Sequence, residues 1–399
     1  KNNMRIIKIS LCFITKTLLS LLCYSQIACT SPTSILMDTP ERVLLFDMGD
    51  AGSRFYRIPG LVTAADGTLV AVADKRWEKI NDLPANIDVV VRRSEDNGKT
   101  WSEAITIAGE ETTVGYGDPA IVLDKQTGNL ICIMASGNGL WQSNSDEYMR
   151  INIAKSMDNG KTWTDPVDIT SQIYGTKCED KQRKQWYGAF AASGRALQLR
   201  DGRIMFAIAV RTTQEWGGPL SNYVCYSDDG GDTWKVSKNA ADKNGDEAKL
   251  IELDNGDILM SIRNRDKGKR KFCISKDRGV NWGNCYLQKD INDPACNGDI
   301  IRYSSVKDGA NQSILLHSIP DDEKIRKNVS VLISYDEGKT WPMKKKICKE
   351  LSAYSSMTVL KDGTIGIIVE EGKWDSELSG EDGFQLWFMR FPLDWLMIE

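Results

Sequence analysis

The chain contains a single histidine, His317, in 399 residues. That scarcity argues against Ser–His and Cys–His nucleophile pairs and against a histidine-rich metal site. No other cluster of metal ligands is visible, so neither metal nor cofactor is expected. No CxxC occurs among the ten cysteines. Cys12, Cys23 and Cys29 lie in the N-terminal stretch, and the remaining seven are scattered singly. Several, such as Cys132, Cys225 and Cys273, fall in strand-like runs, so buried free thiols are expected rather than a disulfide framework. No Pro- or Ser-rich linker divides the chain, which argues for one large domain. Nor is there an excess of one charge: 51 Lys and Arg face 55 Asp and Glu, a net charge of −4, which gives no case for nucleic acid as a partner. The basic run KGKRK at 267–271 reads as a solvated loop. Helical periodicity is scarce throughout.

What the chain has in abundance is repetition. SEDNGKTW at 94–101 returns as SMDNGKTW at 156–163, SDDGGDTW at 227–234, SKDRGVNW at 275–282 and SYDEGKTW at 334–341. The pattern is Ser-x-Asp-x-Gly-x-Thr-Trp, with Asn281 as the one departure at Thr. Ser and Asp side chains close tight loops onto backbone amides, Gly supplies a positive φ, and the Trp opens the next strand with a large apolar ring. Runs such as IDVVVRRS and VSVLIS precede the boxes and read as strands. A calcium loop is a poor alternative, because each turn offers too few carboxylates.

A second repeat precedes the first. Gly67, Gly128, Gly202, Gly256, Gly309 and Gly363, five of them behind Asp or Asn, sit between apolar segments and read as hairpin turns. The sixth has no octet after it. Six units of two hairpins each predict an all-β, six-bladed β-propeller with four antiparallel strands per blade. ERVLLFDMG near the start and FQLWFMRFPLDWL at the end are expected to pair within one blade and close the ring.

The first residues differ in kind. ISLCFITKTLLSLLCYSQIAC follows Lys1, Arg5 and Lys8 and has the look of a signal peptide. Residues 1–35 are therefore expected to be a leader, with 36–399 as the propeller, and the protein to be exported to the periplasm, cell surface or medium. Cys29 in QIAC is a candidate for a lipid anchor, although Gln26 stands where an aliphatic residue is usual. Beginning at Lys1 points to a natural start at Met4 or upstream.

The turns also act as a ruler. Strands alternate direction, so both turn types lie on one edge of the ring, and residues one strand away lie on the other. Arg57 is ten residues before Gly67 and Arg76 nine after it; Glu247 is nine before Gly256 and Arg263 seven after it. Arg326 is eight before Ser334, Tyr354 nine before Gly363, and Asp82 lies in the loop EKINDLPANID. All seven fall on the edge opposite the turns, where the inner strands of a propeller deliver their ends to the central channel. Taken singly, each arginine reads as a surface ion pair and Tyr354 as a core aromatic. Together, four arginines, two acids and a tyrosine suit an anionic substrate, since Arg forks match carboxylates bidentately.

YRIPGL (56–61), the five octets, DEAKLIELDNGDILMSIRN (246–264), IRKNVSVLISYDEGKTW (325–341) and AYSSMTVLKDGTIGIIVEEG (353–372) resemble the bacterial exo-sialidases of the six-bladed Asp-box propeller family. The resemblance covers most of the chain from about residue 45 on. It implies hydrolysis of terminal sialic acids from glycoproteins or glycolipids, with retention. Arg57, Arg263 and Arg326 then clamp the sugar carboxylate, and Arg76 lies near O4. Tyr354 is the nucleophile, Glu247 its partner and Asp82 the acid/base. Asp74 and Asp88 flank Asp82 as alternatives, and Arg302 is an alternative to Arg326. The related readings are a trans-sialidase, a hydrolase for another 2-keto acid sugar, a non-catalytic sugar-binding propeller and a protein-interaction propeller. Trp141, Trp186 and Tyr174 are candidates for the acetamido pocket, and a monomer is expected.

Overall fold

The structure, a computed structural model, describes residues 40–109, 114–191, 193–372 and 383–398. The leader and Cys29 lie outside the described residues. From Arg42 to Phe391 the chain forms six antiparallel sheets of the expected propeller. Blade I runs from its inner to its outer strand as Phe55–Thr63, Leu69–Arg76, Ile87–Ser94 and Ile105–Ala108. Blade II is Tyr116–Leu123, Leu130–Ser136, Arg150–Ser156 and Val167–Asp168, with Gly194–Arg195 added in parallel at its inner edge. The inner strand of blade III is broken into Gly188–Ala191 and Leu197–Gln198, both paired with Ile204–Arg211. Blade IV starts at Ala248–Glu252, blade V at Asp299–Ser304 and blade VI at Ser352–Val359.

Ring closure follows the expected pairing: Arg42–Phe46 is the outer strand of blade VI, antiparallel to Phe384–Phe391. Buried clusters of Leu, Ile, Val and aromatic side chains fill the spaces between blades, as where Phe206 and Trp234 pack with Ile133 and Ile153 of the preceding blade.

The octets are turns, as read, and their chemistry is visible. In the first, the Gly98 amide donates to Ser94 Oγ at 2.8 Å, and the Thr100 amide and hydroxyl donate to the two oxygens of Asp96 at 2.9 and 2.6 Å. Trp101 does not open the outer strand. Its Nε1 donates back to the Gly98 carbonyl at 3.1 Å, and the strand begins only at Ile105. The fourth box residue is left-handed, with φ of 62° at Asn97, 59° at Asn159, 62° at Arg278 and 63° at Glu337. In the variant box, Asn281 replaces Thr without loss: its amide and Nδ2 reach Asp277 at 2.8 and 2.7 Å.

One cysteine expectation needs correction. Cys273 is not a free thiol but is disulfide-bonded to Cys285. The reason is register: Phe272 faces Tyr286 across the hairpin, so the next pair inward is Cys273 and Cys285, with Cα atoms 4.3 Å apart. Cys132, Cys178, Cys225, Cys296 and Cys348 are buried and free.

Candidate active site

At the end of the channel away from the turns, Tyr354 and Glu247 meet. Tyr354 rises from the inner strand of blade VI and Glu247 stands just before that of blade IV. The phenol hydroxyl donates to Glu247 Oε2 at 2.6 Å. Arg263, just past the second strand of blade IV, donates from Nη1 to the same carboxylate oxygen at 2.7 Å and to the phenol oxygen at 3.1 Å. The other oxygen, Oε1, accepts from Ser193 Oγ at 2.8 Å and Asn297 Nδ2 at 3.2 Å. Burial pushes the Glu247 carboxyl up, but Arg263 and Lys249 outweigh it and leave it below its ordinary range. Burial and the Glu247 charge push the Tyr354 phenol well above its own. The resting pair is therefore a neutral phenol donating to a carboxylate.

Two more guanidiniums approach the same ring. Arg57 Cζ lies 4.9 Å and Arg326 Cζ 5.6 Å from the Tyr354 ring centroid. Arg326 is held by the Ala295 carbonyl at 2.9 Å. Arg57 sits on a bulge of the inner strand of blade I, where the register shifts between Arg57 and Gly60 and Ile58 adopts φ 57°. A bulge of this kind re-aims a side chain at the end of a strand. Matching irregularities occur between Gly117 and Ala120, with Asp118 at φ 56°, and between Ser352 and Ser355.

Arg76, at the end of the second strand of blade I, binds Asp74 Oδ2 at 2.8 Å, Asp82 Oδ1 at 2.9 Å and the Ile80 carbonyl. The Asp82 side chain is 60% exposed. Partial desolvation pushes its carboxyl up, but Arg76 and Arg57 prevail and hold it below the usual range. A cavity of about 460 Å³ opens above these groups, lined by Asp82, Glu247, Arg263 and Tyr354 together with Asp118 and Trp141. Four of the seven expected residues thus line it, while Arg57 and Arg326 pack against the Tyr354 ring and Arg76 binds Asp82.

The alternatives separate cleanly. Asp74 is buried behind Arg76, and Asp88 accepts from Trp77 Nε1 at 3.0 Å. Arg302 belongs to the opposite end, where it binds Glu337 Oε2 at 2.7 Å beside a larger cavity of about 610 Å³. Of the arginines there, Arg200 and Arg302 are matched by Glu252, Asp254, Asp308 and Glu337, and Arg195 lies 3.8 Å from Asp299. Trp141 lines the cavity beside Asp82 and Tyr354, whereas Tyr174 and Trp186 are buried in one core cluster, Trp186 against Tyr223.

Besides Ser193 and Asn297 on the Glu247 carboxylate, two further residues were not anticipated. Asp118 lines the cavity with its carboxyl pushed well up by burial and by Asp74 and Asp82. Glu370, fully buried, accepts from Arg57 Nη2 at 2.9 Å, the Ile58 amide at 2.8 Å and the Tyr354 amide at 3.2 Å. The only signal for Glu370 is an acid at the end of an apolar strand in GIIVEEG.

A family model described as a BNR repeat-like domain matches residues 58–373. A sialidase of Bacteroides fragilis is 31% identical over 81% of this chain and 61% of its own length. One of Micromonospora viridifaciens is 32% identical over 81% of this chain and 51% of its own, and one of Paraclostridium sordellii is 30% identical over 75% and 76%. The chain belongs to the sialidase family of BNR-repeat propellers. It spans about half to three fifths of the length of the first two of these relatives. Among solved structures, the Hadza microbial sialidase Hz136 superposes on this sialidase-family propeller with a TM-score of 0.76 and 27% identity, over 88% of this chain and 68% of that one.

Proposed function

We propose that this chain is an exo-α-sialidase that releases terminal sialic acid from glycoconjugates with retention, through a covalent bond to Tyr354. The observation that carries this reading is the 2.6 Å hydrogen bond between Tyr354 and Glu247 beneath three arginines. Sialic acid bears a carboxylate on its anomeric carbon, and sialidases are the glycosidases that use a tyrosine in place of a carboxylate nucleophile. Two carboxylates ~4 Å apart repel by roughly 4 kcal/mol at an effective dielectric of ~20. A neutral phenol avoids this. Ionising it outright at neutral pH costs about 4 kcal/mol from its reference pKa, and more where burial raises it. Glu247 is placed to take the proton as the bond forms, so the free phenolate need not be made.

In the first step the Tyr354 oxygen bonds the anomeric carbon, its proton passes to Glu247, and the bond to the leaving oxygen breaks as Asp82 protonates it. In the second, Asp82 takes a proton from water, the water oxygen bonds the anomeric carbon, and Tyr354 leaves with the proton returned from Glu247. Arg57, Arg263 and Arg326 receive the substrate carboxylate. Its negative charge offsets Arg57, and the leaving group covers the exposed face of Asp82. Both changes favour protonated Asp82 when it is needed.

A fluorinated sialyl donor that traps the intermediate tests the reading. Labelled peptide containing AYSSMTVL, with the adduct on Tyr354, is expected, and Tyr354→Phe should take no label and lose turnover of natural sialosides. An adduct on a carboxylate, or an inverted first-formed anomer, would overturn it.

A further inference from the structure

Behind Glu247, away from the substrate pocket, lies a charge that the reaction above does not use. Lys249 is 2% exposed and lies two residues along the same strand edge, so its side chain points to the same face as that of Glu247. Its Nζ donates to Asn297 Oδ1 at 2.7 Å, and Asn297 Nδ2 passes the contact on to Glu247 Oε1 at 3.2 Å. One chain of contacts therefore runs from Lys249 through Asn297 to Glu247 and on to Tyr354. Space for the lysine is kept by Gly194, where a Cβ would stand 3.3 Å from Lys249 Cε.

A buried ammonium is costly unless it is paired and hydrogen-bonded. Burial pulls its pKa down to about 8, while Glu247 and Asp299 oppose that pull. Arg270 of the third strand of blade IV and Arg195 at the inner edge of blade II also face it, as does His317 of blade V. Arg270 is committed to Asp293 at 3.1 Å and Arg195 lies 3.8 Å from Asp299, which leaves Lys249 as the cation joined to Glu247 from below.

We propose that Lys249 is a positioning residue for the Tyr354–Glu247 pair: through Asn297 it fixes the rear oxygen of the carboxylate, and its charge sets how acidic the medium can become before Glu247 is lost as proton acceptor. The inference rests on the catalytic roles proposed above. Removing the positive charge favours the protonated form of Glu247, which cannot accept the Tyr354 proton. The acidic limb of kcat/KM then moves to higher pH. Arg57, Arg263, Arg326, Asp82, Asp118, Asp246 and Cys296 also surround the pair, but they are common to wild type and variants, so the difference between profiles reports Lys249.

The test compares the full chain with Lys249→Met, Lys249→Gln and Lys249→Arg on an aryl sialoside, a substrate with little need of Asp82, from about pH 3 to about pH 8. In the Met and Gln variants the midpoint of the acidic limb of kcat/KM should move up by about one pH unit, with KM at neutral pH unchanged. Lys249→Arg, which retains the charge, should keep the wild-type limb. A folded Met or Gln variant, verified by thermal unfolding, with the wild-type limb would overturn the inference. So would failure of both to fold, which would make Lys249 a structural brace. Absence of turnover in wild type would instead count against the sialidase reading itself.

Discussion

Arg57 and Glu370, 313 residues apart in the chain, form a 2.9 Å ion pair with side chains only 3% and 0% exposed. The pair ties blade I to blade VI beside the point where the ring closes. Glu370 also holds the Ile58 and Tyr354 amides, so one carboxylate sets both the bulge that aims Arg57 and the strand that carries Tyr354. Glu370→Gln removes the Glu370 charge from beside the buried Arg57 guanidinium. Breaking a buried pair from one side costs about 3–5 kcal/mol. Chemical denaturation should show a loss of that order, with KM for sialosides raised because Arg57 is no longer aimed. A loss under about 1 kcal/mol would mean that the pair is not what joins the blades.

Arg263 donates to Glu247 and to Tyr354 from one nitrogen, and its guanidinium is the cation nearest both. Lysine keeps the charge but not the planar fork. Arg263→Lys should reduce kcat/KM by about tenfold to a hundredfold, the value of one charge-assisted contact. Steady-state kinetics at wild-type level would remove Arg263 from the site.

The variant Asp box offers a check on stability alone. Asn281 makes both contacts to Asp277 that Thr makes elsewhere. Asn281→Thr should lie within about 0.5 kcal/mol of wild type, whereas Asn281→Ala, losing the side-chain contact, should cost about 0.5–1.5 kcal/mol. Equal stabilities for the two would show that the side-chain contact contributes nothing.

What was legible in the chain was its punctuation. The octets and the Asp-Gly turns are local chemistry, so they predict strand number, blade number and which strand ends share an edge. Tyr354, Glu247 and the arginines follow from that ruler because each lies one strand length from a turn. Glu370 and Asp118 do not, because their importance arises where two blades distant in sequence meet and where an inner strand bulges. Tyr174 and Trp186 lie in or near loops in sequence, yet the path between blades II and III folds them into the core. The Cys273–Cys285 pair was readable in principle, since a hairpin with its turn at 275–282 sets those two positions opposite each other.

Asp82 is at once anchored and exposed, and the combination makes its role depend on the leaving group. In the free protein Arg76 holds one oxygen at 2.9 Å while most of the side chain remains open to solvent. Desolvation works to raise the Asp82 carboxyl, but Arg76 and Arg57 dominate and keep it ionised. A substrate reverses that balance only if its carboxylate occupies the arginines and its leaving group covers Asp82. A natural sialoside, whose leaving sugar needs a proton, should therefore lose about a hundredfold to ten-thousandfold in kcat/KM in Asp82→Ala. An aryl sialoside with an acidic phenol should lose far less. Arg76→Met removes the nearest cation, so the Asp82 carboxyl rises and remains protonated to higher pH. For the natural substrate, the alkaline limb of kcat/KM should then shift to higher pH in Arg76→Met and should not shift for the aryl sialoside. Equal losses for both substrates in Asp82→Ala would assign proton donation to another group, with Asp118, whose carboxyl is pushed well up and lines the same cavity, as the residue to examine next.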